Sequence, residues 1–254
     1  MNLKILSFVS IKGGVGKSLI SANFGMILAK SGHKTALVCA EKFSSLDVIF
    51  KIQVNKNLGD FLNGKCEFND ILYEVRDNLF LIVADNCENF EKLRENLLKI
   101  GFEYILIDAN SGFYEQIVKI SDDLLLISSC EPAGVSDTYA FIKLASRIRS
   151  DFLILTNMTN DEEEAVLIYE NLVKIAHANI SKDLKFGLLG FVGFCEKIRE
   201  CVKNRTIFCE EMPNSDVCYQ LCKAVGRYLK KNGQNGIDLS KFSSFSAFFR
   251  RIFS

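Results

Sequence analysis

The chain has little of what marks most alternatives to a folded domain of the cell interior. Two prolines and sixteen glycines in 254 residues are too few for a disordered or collagen-like protein. The 31 basic and 31 acidic residues cancel. No chain-wide field therefore attracts a nucleic acid, and none is expected as a partner. No apolar run reaches the roughly 18 residues that a spanning helix needs, and no signal peptide opens the chain. Together these predict a cytoplasmic protein. The two histidines, His33 and His177, sit far in sequence from the cysteine-rich stretch. Although nine cysteines are many, Cys195, Cys201, Cys209, Cys218 and Cys222 contain no C-x-x-C pair. That spacing favours free thiols packed in a reducing cytosol over zinc or an iron–sulfur cluster.

What is present is a large apolar fraction, 48% of the residues, enough to bury a sizeable core. Strand-like runs fall at Leu3–Val9, Thr35–Cys39, Leu79–Val83, Tyr104–Ile107, Leu124–Ser128, Phe152–Thr156 and Phe186–Leu189. Helical periodicity fills the intervals at Ser18–Lys30, Asn89–Lys99, Val135–Ile148 and Asp161–Ala178. Runs such as Leu124-Leu125-Leu126-Ile127 are apolar without alternation, as expected when both faces of a sheet are covered. The pattern predicts an α/β fold, a doubly wound and mainly parallel sheet, over residues 1–230. Ligands of such sheets sit at the carboxyl ends of strands. The stretch from Cys39 to Asn78 is the least regular.

The first strand ends in Ser10-Ile11-Lys12-Gly13-Gly14-Val15-Gly16-Lys17-Ser18, followed by a helix. Glycines let successive N–H groups converge on phosphate oxygens, helped by the helix N-terminus. In a phosphate loop of this form the backbone of Gly13, Gly14, Val15 and Gly16 cradles the phosphates. Lys17 reaches the β- and γ-phosphates, and the Ser18 hydroxyl ligates Mg²⁺. The expected cofactors are ATP and Mg²⁺.

K-G-G-V-G-K-S, with Lys12 ahead of the glycine pair, resembles the deviant loop of the MinD/ParA superfamily of ATPases. The resemblance implies that Lys12 reaches the partner's nucleotide across an ATP-sandwiched homodimer. It also implies that Tyr104-Ile105-Leu106-Ile107-Asp108 is the Walker B element, with Asp108 holding the Mg²⁺ shell. Ala109-Asn110-Ser111-Gly112 then takes the switch II position, and Asn157 the position that hydrogen-bonds adenine. The segment Glu131-Pro132-Ala133-Gly134-Val135-Ser136-Asp137-Thr138-Tyr139-Ala140 is similar to the E-P-T-x-x-T-D-A-Y-A segment of the flagellar-number regulators FlhG, FleN and YlxH. Lys197–Glu200 and Pro213–Ser215 also resemble that branch, and the likeness spans about residues 3–230. It implies a cytoplasmic ATPase that associates with the inner face of the cell membrane and regulates flagellar number or placement. Its implied partner is a GTPase of the FlhF type.

The chain departs from that branch in four places. Where the family has D-x-D after the second strand, this sequence reads Cys39-Ala40-Glu41, and the loop to Asp47 is one residue shorter. The resemblance implies that Glu41 can take the water-handling role, but its extra methylene moves the carboxylate by about 1 Å, which can cost on the order of 10²-fold in rate. Slow hydrolysis is therefore expected. Ala84–Asn89 replaces a glycine-rich segment, and no D-Q-A-x-x-L-R stretch precedes the first strand.

Past a polar spacer, residues 231–240, the segment 241–254 has amphipathic periodicity. At about 100° per residue, Phe242, Phe245, Phe248, Phe249, Ile252 and Phe253 fall within an arc of roughly 140°. Arg250 and Arg251 lie on the other side with the serines. An apolar face with cationic flanks suits a helix lying in an anionic membrane surface; a helix docked on the domain requires the same amphipathicity. Two such tails in an ATP dimer would bind far better than one. The competing functions are a MinD-like division-site regulator, a ParA-like DNA-partitioning ATPase and a non-hydrolysing ATP-binding scaffold.

Overall fold

The apolar runs assemble into one eight-stranded sheet, seen in a computed structural model that describes residues 3–11, 13–40, 46–84, 89–109 and 114–237. The strands are β1 (Lys4–Val9), β2 (Thr35–Ala40), β3 (Tyr73–Arg76), β4 (Leu79–Val83), β5 (Tyr104–Ala109), β6 (Asp123–Ser129), β7 (Asp151–Thr159) and β8 (Lys185–Gly193). The helices are α1 (Lys17–Lys30), α2 (Leu46–Phe50), α3 (Leu58–Leu62), α4 (Phe90–Lys99), α5 (Tyr114–Ile120), α6 (Pro132–Ala145), α7 (Glu162–Asn179), α8 (Glu196–Asn204), α9 (Phe208–Glu211) and α10 (Asp216–Lys231). A 3₁₀ turn at Phe68–Ile71 precedes β3.

The strand order is β3-β4-β2-β5-β1-β6-β7-β8, parallel throughout except for β3, which runs antiparallel to β4. Alternate side chains of each strand feed two cores. Leu6 and Phe8 of β1 enter a core with α1, α2, α8, α9 and α10, whereas Ile5 and Val9 enter one with α3 to α7. Both faces being covered explains why the strand sequences do not alternate. Helix α1 is buried continuously from Ile20 to Ala29, wedged between the sheet and α10, with Phe24 edge-on to both Phe8 and Tyr228. Its buried polar residues are satisfied, Asn23 Nδ2 donating to the Leu19 carbonyl and Asn23 Oδ1 accepting from Cys209 N, as so interior a helix requires.

The connection after β1 leads to β2 on one side, while β6 returns to pair with the other side of β1. The strand order therefore reverses at β1, the place where open parallel sheets hold their ligands.

Two regions differ from the sequence expectation. The stretch called irregular contains α2, α3, the 3₁₀ turn and strand β3, whose turn into β4 places Asn78 at φ 63°. Asparagine tolerates that left-handed conformation, which gives the edge hairpin its tight turn. Toward the C-terminus the chain forms α8, α9 and α10, where the sequence pattern predicts no element. Helix α10 continues to Lys231, and the chain then folds back: Gln234 Oε1 accepts from Tyr104 Oη at 2.7 Å, and Ile237 packs on the core. Residues 234 and 237 thus contact the domain, within the polar stretch 231–240 expected to be a spacer. Among the described residues, no helix is long and apolar enough to cross a membrane.

Candidate functional site

Strand β1 delivers the chain into the glycine loop, and α1 starts at Lys17. Gly16 caps that helix in the left-handed region at φ 86°, and its carbonyl accepts from Ile20 N at 2.9 Å. Gly14 is also left-handed, at φ 85°. Gly13 and Gly14 are exposed with open space where a Cβ would be, so the backbone can be approached closely there. At Gly16 a Cβ would stand 2.5 Å from Asn157 Nδ2. Glycine is required twice over at this position, by φ and by space.

Lys17 and Asp108 are both buried, and Lys17 Nζ donates to Asp108 Oδ1 at 2.5 Å. Two charges removed from water need each other, since an uncompensated buried ion costs several kcal/mol. The contact spans 91 residues of sequence and follows from register: Phe8 of β1 and Cys39 of β2 both pair with Asp108 of β5. The carboxylate therefore reaches the carboxyl end of the sheet beside the loop. Ser18 is half-buried in the first turn of α1. One hydroxyl and one carboxylate are hard oxygen donors of the kind Mg²⁺ takes alongside phosphate oxygens, so the residues fit a Mg²⁺–nucleotide. When bound, that ion would be held by Ser18 and Asp108 and would offset phosphate charge.

Asn157 ends up against the same loop. It is buried near the end of β7, level with Ser129 of β6, and its Nδ2 donates to the Val15 carbonyl at 2.8 Å. The following residue, Met158, has φ 63°, and its carbonyl accepts from Cys130 Sγ at 3.0 Å. Its methyl lies 3.9 Å from where a Gly16 Cβ would be. The structure thus brings together Gly13, Gly14, Val15, Gly16, Lys17, Ser18, Asp108 and Asn157. Lys12, Glu41 and the tail residues Phe242, Phe245, Phe248, Phe249, Arg250, Arg251, Ile252 and Phe253 lie outside the described residues.

Cys39 is fully buried at the position beside Asp108 where the resemblance calls for a carboxylate. Four of the other cysteines form part of the core beneath α10. Cys201, Cys209, Cys218 and Cys222 pack there, and burial pushes the Cys209 thiol well up from its ordinary value. The reading of these cysteines as packed thiols agrees with that place, whereas the helix whose apolar face is made by Val217, Cys218, Leu221, Cys222, Val225 and Leu229 was not read from the sequence. The backbone contact of Asn157 was missed as well, since nothing local signals it.

Residues 6–208 match the CobQ/CobB/MinD/ParA nucleotide binding domain. The chain is 28% identical over 266 residues to the flagellum site-determining protein YlxH of Helicobacter pylori, covering 99% of this chain and 90% of that protein. It is 23% identical over 235 residues to the antiactivator FleN of Pseudomonas aeruginosa, covering 84% and 81%. The fold matches the septum site-determining protein MinD of Pyrococcus horikoshii, solved in complex with Mg-ADP. The TM-score is 0.74 at 20% identity, over 91% of this chain and 98% of that one.

Proposed function

The chain belongs to the CobQ/CobB/MinD/ParA nucleotide-binding family, and we propose that it is an ATP-binding, slowly hydrolysing switch that dimerises with ATP. In this reading it associates with the membrane peripherally and regulates flagellar number or placement. The observation that carries the nucleotide part is the open glycine loop with Lys17 held at Asp108, a hard-oxygen donor set beside an anion cradle. The flagellar part is supported by a likeness to YlxH that runs over 99% of this chain. The proposed partners are a second copy of the chain, an anionic membrane surface and a GTPase of the FlhF type. Lys12 and Glu41 are the proposed cross-dimer and water-handling residues.

Light scattering with ATP, Mg²⁺ and purified protein tests the switch. Dimers are expected with ATP and monomers with ADP, and Lys12→Ala should stay monomeric while still binding ATP. A wild type that stays monomeric with ATP and Mg²⁺ ends the sandwich-dimer reading. Vesicle sedimentation tests the tail. Removal of residues 241–254 should abolish binding to anionic vesicles and leave ATP binding unchanged. A truncated protein that melts lower, beside a full chain that ignores vesicles, points to a docked helix.

A second reading, a non-hydrolysing ATP-binding scaffold, is favoured by Cys39, a buried thiol at a carboxylate position. A thiol there does not supply the charge of a carboxylate, which leaves Glu41 alone to order an attacking water. Phosphate release under ATP separates the two. Turnover that falls in Glu41→Ala supports the switch; no turnover in wild type supports the scaffold.

A further inference from the structure

We infer that Asn157 is a positioning residue for the phosphate loop, fixing the Val15–Gly16 peptide so that the loop is preformed for polyphosphate. The resemblance gives this residue to adenine; the structure gives its amide to the loop. Asn157 Nδ2 donates to the Val15 carbonyl at 2.8 Å across 142 residues of sequence, and the residue is buried. The Val15–Gly16 peptide is planar and trans, so its C=O and N–H point in opposite directions. Holding the carbonyl toward β7 therefore turns the Gly16 N–H away from Asn157.

Three further observations make this a built contact. Gly16 has no side chain, and a Cβ there would stand 2.5 Å from Asn157 Nδ2, so the close approach depends on glycine. The β7–β8 register shifts between Asn157 and Thr159, so the ladder is locally irregular at Met158 before it resumes at Thr159 and Gly193. Met158 next to it takes φ 63°, an unfavourable value for a residue with a Cβ, and its carbonyl is tied to Cys130 Sγ just past the end of β6. Strain of this kind persists where surrounding contacts over-determine it. Here it sets the residue that braces the loop. An Asn amide can give its N–H to the carbonyl and still leave its oxygen to a ligand, so bracing does not preclude a base contact.

The inference rests on the phosphate-loop reading of residues 13–18, and the test separates the two by using a ligand without a base. Binding of the non-hydrolysable analogue AMPPNP, its guanine counterpart and inorganic tripolyphosphate is measured by calorimetry with Mg²⁺ on the full chain. For Asn157→Ala, affinity for AMPPNP and for tripolyphosphate should fall by the same factor, roughly tenfold. The adenine-to-guanine preference should stay at the wild-type value. Asn157→Ser, which leaves a smaller void but cannot span to Val15, should lose tripolyphosphate affinity in the same way. It carries the test if the alanine variant does not fold by circular dichroism. A loss for AMPPNP with unchanged tripolyphosphate binding, or a collapse of base preference alone, assigns Asn157 to the base and overturns the inference. No loss for either ligand overturns it too. A wild type that binds none of the three ligands removes the phosphate-loop reading and this inference with it.

Discussion

Two lysine–aspartate pairs of the same length stand at opposite ends of the sheet. At the carboxyl end Lys17 Nζ meets Asp108 Oδ1 at 2.5 Å, and at the amino end Lys231 Nζ meets Asp123 Oδ1 at 2.5 Å. Their surroundings differ. The first pair has side chains 10% and 0% exposed and lies beside an open glycine loop. In the second, Lys231 is 45% exposed, and Asp123 also accepts from Tyr228 Oη at 3.3 Å. It ties the end of α10 to the start of β6, next to the Tyr104–Gln234 bond that pins the returning chain. Equal distances thus serve unequal purposes. In the proposed reading the pair at the loop holds a charge for a phosphate to take over, whereas the pair at the base fastens two elements with Lys231 nearly half exposed. Burial and neighbours, rather than length, decide what an ion pair does.

The sharpest way to break the comparison is at Lys17. Lys17→Ala should abolish binding of an ATP analogue, at least a hundredfold by calorimetry, because its charge offsets the β- and γ-phosphates. It should also destabilise the fold by about 3 kcal/mol, since Asp108 loses its buried counter-charge. Lys17→Met combined with Asp108→Asn removes both charges together. Its melting temperature should recover most of the loss while ATP binding stays absent. Full recovery of binding would remove Lys17 from the site.

Gly16→Ala tests the loop itself. It forces a Cβ onto a left-handed residue and into Asn157, so a stability loss of about 2 kcal/mol is expected by denaturant titration, together with weakened nucleotide affinity. An alanine variant with wild-type stability and affinity would show that the loop rearranges freely.

At the base, burial together with the Glu103 carboxylate pushes the Tyr104 hydroxyl up to about 12. A group held protonated in the folded state contributes stability that is full below its unfolded pKa, about 10. That contribution disappears as pH rises toward 12. Stability should therefore decline between about pH 10 and 12, and Tyr104→Phe should flatten that decline. An unchanged alkaline slope in the phenylalanine variant would exclude Tyr104 as its source.

The smallest effect belongs to Lys231→Ala. With the lysine nearly half exposed and Asp123 still bonded to Tyr228, the loss should be under about 1 kcal/mol and should shrink with salt. Nucleotide affinity should not change. A loss as large as that at Lys17 would erase the distinction between the two pairs.

The sequence alone determined the glycine loop, the alternation of strands and helices, and the carboxylate closing β5. Each is a local pattern: glycines at fixed offsets ahead of Lys17, apolar runs of strand length, and Asp108 at the end of one of them. Helices α8 and α9 were obscured because they are short and bury only one and two residues, and α10 because cysteines interrupt its aliphatic face, residues whose chemistry competes with their role as apolar filling. Strand β3 was obscured because a four-residue edge strand with one buried position carries almost no periodic signal. Tertiary structure alone decided that Lys17 meets Asp108, that Asn157 braces Val15, and that Tyr104 holds Gln234. These contacts join residues 91, 142 and 130 positions apart. No local propensity encodes them. They exist because a parallel sheet with crossover connections sets distant strands side by side and brings the loops and helix ends that follow them against those strands.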